Sequence, residues 1–396
     1  MISDFSSLYA GHVDMDDIGY GGVPVNDRSF SDDHLATGFD KAEAIVVLLD
    51  RMGYDSFWMA EHHFQPEGYE CIPNLLLFQV HLAHLTKNIK FGCGFNIAPM
   101  WHPLRLAEDY AQADILTGGR VIFGVGRGYH TREVETFGSP LIDQVAARDL
   151  FEEQVEIIFK AFNQRSFSHH GKNYDIPPRG VPYRGYELKE ITLVPRPRNL
   201  PVEVWQPIQG GTTRALDFMA KYGIKGQIGG GVAEGGAMDG VIADYQAALA
   251  RAGRETELGE DLAIGFHVHL ATSKEKGIKE AAGYFEENLK MFGPLRLSRR
   301  MTEQQIIDVS DRNVAPTADL PDIEGAVNGG AFLCGPPDQV IEQLKALEER
   351  YPGLSRLNVS QPVGTPQSVI LEQLQWFAEE VMPAFKSKAE AAVPAD

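Results

Sequence analysis

Short runs of apolar and β-branched residues alternate along the chain with longer segments whose apolar positions recur every three or four residues, which are the signatures of strands and of helices packed on a sheet. Strands are predicted at Asp4–Ala10, Ser56–Ala60, Ile89–Asn96, Val121–Gly126, Val202–Gln206, Gly226–Gly230, Ala263–Ala271 and Arg356–Gln361. Between them lie "DKAEAIVVLLDRMG", "HPLRLAEDYAQADILTGG", "ARDLFEEQVEIIFKAF" and "SVILEQLQWFAEEVMPAF", each with one apolar face. This alternation predicts an α/β fold. Eight β/α units point to a (β/α)8 TIM barrel ahead of a doubly wound sheet, which has the same alternation.

A plain barrel needs about 250 residues, so the surplus in 396 must lie in insertions. Three irregular stretches qualify: 11–38, 163–200 and 273–330, the first two as candidate lids. The expected organisation is a single domain over residues 1–386 and a flexible tail at 387–396. Fifty-five acidic against 36 basic residues give a net charge of -19, which disfavours nucleic acid and anionic membranes as partners. An anionic ligand therefore needs a local positive site. Cys71, Cys93 and Cys334 form no CxxC pair, and neither a leader pattern nor a spanning apolar run is seen, so a cytoplasmic protein is expected.

Active sites of such barrels gather at the carboxyl ends of the strands. There the chain carries "AEHHF", with Glu61, His62 and His63; adjacent strand residues point to opposite faces, so the two imidazoles cannot share one metal. "GVGRGYH" sets Arg127 among three glycines, and "GGTTRALDFMA" puts Gly210, Gly211, Thr212 and Thr213 at the start of a helix. Together they describe a phosphate site without a Walker lysine. Each alone is equally compatible with a tight strand end or a plain helix cap. His267 and His269 in "HVH" could be metal ligands, though no carboxylate partner is evident. Asp14, Asp16 and Asp17 lack the rest of a calcium loop, and the "NVS" sequon at Asn358 falls in a strand predicted to be buried. Neither GxxxxGK[ST] nor GxGxxG occurs.

The combination of "AEHHF", "HPLRLAEDYAQADILTGGRVIFGVGRGY" and "GGTTRALDFMAKYG" resembles the bacterial luciferase-like flavin monooxygenases, most closely over 39–162 and again over 200–231. That resemblance implies a (β/α)8 barrel with insertions that uses reduced FMN and oxygen. By position it implies that His62 is the catalytic acid/base, with His63 its inward-packing partner, and that Arg127 and Gly210–Thr213 hold the flavin phosphate. Gly94 and Phe95 fall where the family often has a non-prolyl cis peptide under the flavin ring. Where luciferase has a reactive cysteine before the arginine, this chain has Gly126.

Such chemistry needs a dry site with placed proton donors. Phe64, Trp101, Tyr129 and Trp205, along with Tyr69 and Phe95, are candidate walls of an apolar substrate pocket; several could equally be core. The expected function is a two-component monooxygenase acting on a small, largely apolar organic compound, with reduced FMN supplied by a separate flavin reductase and a homodimer possible. Rival readings are a deazaflavin-dependent dehydrogenase of the same superfamily, a metal-dependent barrel hydrolase built on His267 and His269, and a non-catalytic flavin-binding protein.

Overall fold

The computed structural model describes residues 1–208, 210, 212–229, 237–297 and 301–385. Eight parallel strands close on themselves: β1 (Asp4–Tyr9), β2 (Ser56–Met59), β3 (Lys90–Cys93), β4 (Val121–Gly126), β5 (Val204–Pro207), β6 (Lys225–Gly229), β7 (Leu262–Leu270) and β8 (Arg356–Ser360). The final pairing sets Phe5 opposite Leu357 and returns β8 to β1, so the sheet has no free edge. All eight predicted strands are present. The doubly wound alternative is thereby excluded.

A ninth short strand, Phe332–Gly335, pairs with the upper half of β7 while the lower half pairs with β8. It was not predicted, because the five residues between Gly330 and Pro336 are too few to establish a period. The first insertion is also shorter than expected, since helix α1 (Asp32–Met52) begins within it. Ser31 caps α1 by accepting from His34 N, Asp32 and Asp33 lie in its first turn, and Gly53 closes it in the left-handed region. Local capping outweighed the polar composition of the segment.

The amino-terminal end of the barrel is plugged. Trp58 and Trp205 meet edge to face at 5.9 Å inside it, and Gly92 makes room, because a Cβ there would lie 2.1 Å from the Trp58 ring. Arg356 stands 4.7 Å over Trp205 and pairs with Asp4 at 2.7 Å. Trp205 is therefore a barrel plug and not a substrate-pocket wall. "GVGRGYH" needs a similar correction: a Cβ on Gly124 would fall 1.7 Å from the Cys93 carbonyl, so that glycine admits the protein's own backbone.

The carboxyl-terminal mouth is roofed by the first insertion and helix α4 (Lys274–Phe292; α2 and α3 are described with the site). Glu287 of α4 is fully buried and accepts four hydrogen bonds. Oε1 takes Arg28 Nε at 3.0 Å and Tyr69 OH at 2.5 Å, while Oε2 takes Gly19 N and Lys290 Nζ, each at 2.9 Å. Substituting Glu287 by Leu strands Arg28 and Lys290 as buried cations, a change worth about 3 to 5 kcal/mol. Urea unfolding of Glu287→Leu should show a loss of that size, and a loss below about 1 kcal/mol would show the cluster to be solvated.

Candidate active site

Loops at the strand ends bring three groups of functional side chains together. The first centres on His62, just beyond β2. The residue is only 4% exposed. Its Nδ1 lies 3.2 Å from both Glu133 carboxylate oxygens, and its Nε2 is 3.1 Å from Tyr129 OH and from Glu70 Oε1. Tyr129 OH donates to Glu70 Oε1 at 3.0 Å, His130 Nε2 lies 3.2 Å from Glu70 Oε2, and Gln65 Nε2 donates to both Glu70 and Glu133.

Burial is the largest single influence on His62 and lowers its pKa, but the charges of Glu70, Glu133 and Glu61 with the Glu133 hydrogen bond outweigh it together, and the pKa is raised. Burial likewise raises Glu133, and the bonds from His62 pull it down overall. Both shifts favour the charged forms, an imidazolium against a carboxylate. Tyr129, raised well above 10 chiefly by burial, keeps its proton.

His63 makes a separate contact: its Nε2 lies 3.2 Å from Glu61 Oε1, the oxygen that also accepts from Trp101 Nε1 at 2.8 Å. The expectation that His63 packs inward while His62 faces the pocket is reversed in burial. His62 is enclosed by acids, and His63 is the more accessible of the two. His62, Glu70 and His130 are the one set among the described residues whose donor atoms converge as metal ligands do. Every donor in it already has a hydrogen-bond partner. The His267/His269 pair shows no such convergence: His267 Nδ1 contacts Ser360 Oγ at 3.1 Å, and His269 Nε2 reaches Glu280 at 3.3 Å.

The second group is cationic. Arg127 follows β4 and donates to Gln144 Oε1 at 2.9 Å, at the start of α2 (Gln144–Asn163). One turn on, Arg148 leaves Nη1 buried without a partner. Burial is the largest cause of its lowered pKa, followed by repulsion from Arg127; Glu152 opposes these and Arg214 adds to them. Arg214 belongs to the first turn of α3 (Thr213–Tyr222), which Thr212 caps by accepting from Ala215 N. Three guanidiniums thus gather beside a helix N-terminus in a chain of net charge -19. Arg148 was absent from the sequence reading because only its place one helical turn from Gln144 brings it here. Gly210 and Thr213 are exposed beside the same terminus, and Gly211 lies outside the described residues.

The third feature is a cavity of about 420 Å³ over the barrel mouth. Gly94 and Phe95 border it, and the peptide bond between them is cis. Phe64, Trp101, Tyr129 and Trp205 do not border it. Phe64 is half exposed and stacks on Phe137, while Trp101 and Tyr129 are tied to the carboxylates. The walls come instead from Phe285, Leu289 and Phe292 of α4 and from Phe332.

The profile of the luciferase-like monooxygenases matches residues 22–352. The chain belongs to that family. It is 24% identical over 349 residues to the oxygenase component of the flavin-dependent trigonelline monooxygenase of Acinetobacter baylyi, covering 88% of this chain and 90% of that one. A protein of Sinorhizobium fredii without assigned function is 35% identical over 139 residues, or 35% of this chain and 38% of that one. In three dimensions the chain is similar to the oxygenating constituent of the 3,6-diketocamphane monooxygenase of Pseudomonas putida, solved with FMN, at a TM-score of 0.69, 21% identity and coverage of 97% and 99%. Family membership makes this luciferase-like protein an oxidoreductase. Among the described residues no helix is long and apolar enough to cross a membrane.

The ion pair sets a pH dependence whose sign follows from the two shifts. The raised imidazole stabilises the fold fully below its ordinary value of 6.5 and ceases to do so as pH rises through the folded value. The depressed carboxyl contributes above its ordinary 4.5 and is lost as pH falls through its folded value. Melting curves should therefore show the advantage of the wild type over Glu133→Gln greatest near about pH 6 and shrinking towards about pH 9. An advantage that does not change across that range would mean that His62 is neutral.

Proposed function

We propose that this luciferase-like protein is the oxygenase of a two-component system, using reduced FMN and dioxygen to oxygenate a small organic compound, with a separate flavin reductase as its partner. The observation that carries this reading is the arginine cluster. A buried guanidinium nitrogen without a partner, two further guanidiniums and a threonine-capped helix N-terminus form a cradle for a phosphate, and the cavity with its cis peptide lies nearby. The residues present fit FMN: Arg127, Arg148, Thr212, Thr213, Gly210 and Gly211 would hold its phosphate, and Gly94 and Phe95 would underlie its ring. Bound in reduced form, it would supply the electrons that activate dioxygen.

The protein's own side chains then exclude water and place a proton. The apolar roof keeps the mouth dry. His62 serves through its neighbour: the imidazole, fixed by Glu133, stands 3.1 Å from Tyr129 OH, so that a proton passing from Nε2 to the phenol oxygen is matched by the phenol's own proton passing to Glu70 Oε1, 3.0 Å away. His62 is in this sense a positioning and proton-storing residue. Its enclosure by Glu70 and Glu133 is what supports assigning it that role.

Arg127→Ala removes a charge-assisted contact worth about 1.5 to 3 kcal/mol, so fluorescence titration should show FMN binding weakened about tenfold to a hundredfold. Arg148→Ala should act in the same direction. Unchanged binding in both folded variants would move the phosphate elsewhere. For the relay, His62→Ala and Tyr129→Phe should each keep FMN affinity while losing about a hundredfold or more in product formation. Full activity in Tyr129→Phe would remove the phenol from the path. The reductase requirement is checked by mixing the protein with FMN, NADH and candidate substrates. Product should appear only with added reductase or chemically reduced FMN, whereas NADH-driven turnover by the chain alone, or oxygen-free turnover with reduced deazaflavin, would refute the reading.

A further inference from the structure

Two carboxylates, Glu70 and Glu133, are each 2% exposed, and neither has a Lys or Arg as an ion-pair partner among the described residues. Arg132, whose guanidinium feels the charge of both, is paired with Glu67 at 2.7 Å instead. Buried charges are ordinarily paired or bound to a metal. What faces these two acids is imidazole.

His62 Nε2 lies 3.1 Å from Glu70 Oε1 and His130 Nε2 lies 3.2 Å from Glu70 Oε2, and the three donor groups all fall within 4.8 Å of one another. Ligands about 2.0 Å from a tetrahedral zinc ion stand about 3.3 Å apart along each edge. Both contacts are close to that length. Tyr129 OH, 3.1 Å from His62 Nε2 and 3.0 Å from Glu70 Oε1, is a fourth donor at the same spacing.

The surroundings point the same way. A ligating histidine ordinarily offers its other ring nitrogen to a carboxylate, and a ligating carboxylate is itself hydrogen-bonded. Here His62 Nδ1 lies 3.2 Å from both oxygens of Glu133, and Gln65 Nε2 donates to Glu70 at 2.9 Å and to Glu133 at 3.0 Å. Without metal the donors bond one another. A divalent ion would replace those contacts and balance both negative charges at once.

We propose that His62, His130 and Glu70 form a site for one zinc ion, with Glu133 orienting His62 from behind. Two imidazoles and a carboxylate suit zinc, whereas calcium and magnesium take oxygen ligands. The ion occupies His62 Nε2 and Glu70 Oε1, the two atoms on either side of the Tyr129 hydroxyl. Zinc-loaded protein is therefore an inhibited form, a consequence that rests on the reading of those atoms as the proton path of a flavin oxygenase.

The test reads binding in the absence of flavin, reductase and turnover. Untagged full-length protein is stripped with EDTA, equilibrated with zinc chloride and dialysed, and its zinc is measured by inductively coupled plasma mass spectrometry; a parallel titration with cobalt(II) is followed by visible absorption. One zinc per chain should remain, and cobalt should give the intense absorption of a tetrahedral site, which zinc then abolishes. His130→Ala and Glu70→Gln should each lose the bound zinc, Glu133→Gln should weaken it about tenfold to a hundredfold, and His269→Ala, outside the cluster, should keep it. The proposal is overturned by wild-type protein that dialyses free of zinc, by a weak octahedral cobalt spectrum, or by zinc retained in folded His130→Ala and Glu70→Gln. The first two results need no variant and decide the matter if neither substitution folds. Failure of the oxygenase reading shows differently, as zinc-loaded protein that binds the ion yet keeps full product formation.

Discussion

A single buried carboxylate, Glu287, holds the upper half of this molecule together. A fully desolvated carboxylate is tolerable only when its lone pairs are met, and here all four directions are occupied by Arg28, Tyr69, the Gly19 backbone and Lys290. Two of those donors, Gly19 and Arg28, lie in the first insertion, Tyr69 follows β2, and Lys290 is on α4 itself. The contact therefore ties an otherwise polar loop to the barrel mouth and fixes the helix that carries Phe285, Leu289 and Phe292. Burial and the Glu287 charge hold the Tyr69 phenol protonated, so the cluster has a donor that does not titrate near neutrality.

Charge is sorted around that cavity. Carboxylates and imidazoles gather between the ends of β2 and β4, guanidiniums gather where β4 meets α2 and α3, and the space over the barrel is lined by neutral groups. The separation has an electrostatic purpose. Arg148 sits beside Arg127 and Arg214; Asp149 and Glu152 pair with Arg214 at 2.8 and 2.6 Å, which offsets part of the repulsion and leaves Arg148 Nη1 and Arg127 without a carboxylate on them.

The barrel was legible because its signal is local. Each strand is a short apolar run, each helix carries a 3.6-residue period, and eight repetitions leave few architectures to choose from. Arg127 and the Thr212 cap were legible for the same reason, as a glycine-flanked arginine and a threonine at a helix start. What could not be read were facts of packing between distant residues. His62 looked open because nothing in "AEHHF" announces Glu133, which is 71 positions away. Trp205 looked like a pocket wall because a strand residue near a carboxyl end can face up or down the barrel, and the Arg356–Asp4 pair that draws it down is formed by the two ends of the fold. Arg148 looked like any charged helix residue.

The plug and the roof together decide how a ligand can lie. Trp58 and Trp205 fill the barrel from below, and the glycines opposite them, Gly92 and Gly124, have no space for even a methyl group, so nothing can bind within the barrel itself. A ligand is confined to the layer between the strand ends and α4. Among the described residues that border that space, the buried side-chain atoms without a partner are the carboxamide oxygens of Gln227, Asn358 and Gln361, on the β6 and β8 side, while the arginines lie on the β4 and β5 side. An anionic group is therefore met outside this space, at the arginines, and what lies within it is met by neutral side chains alone.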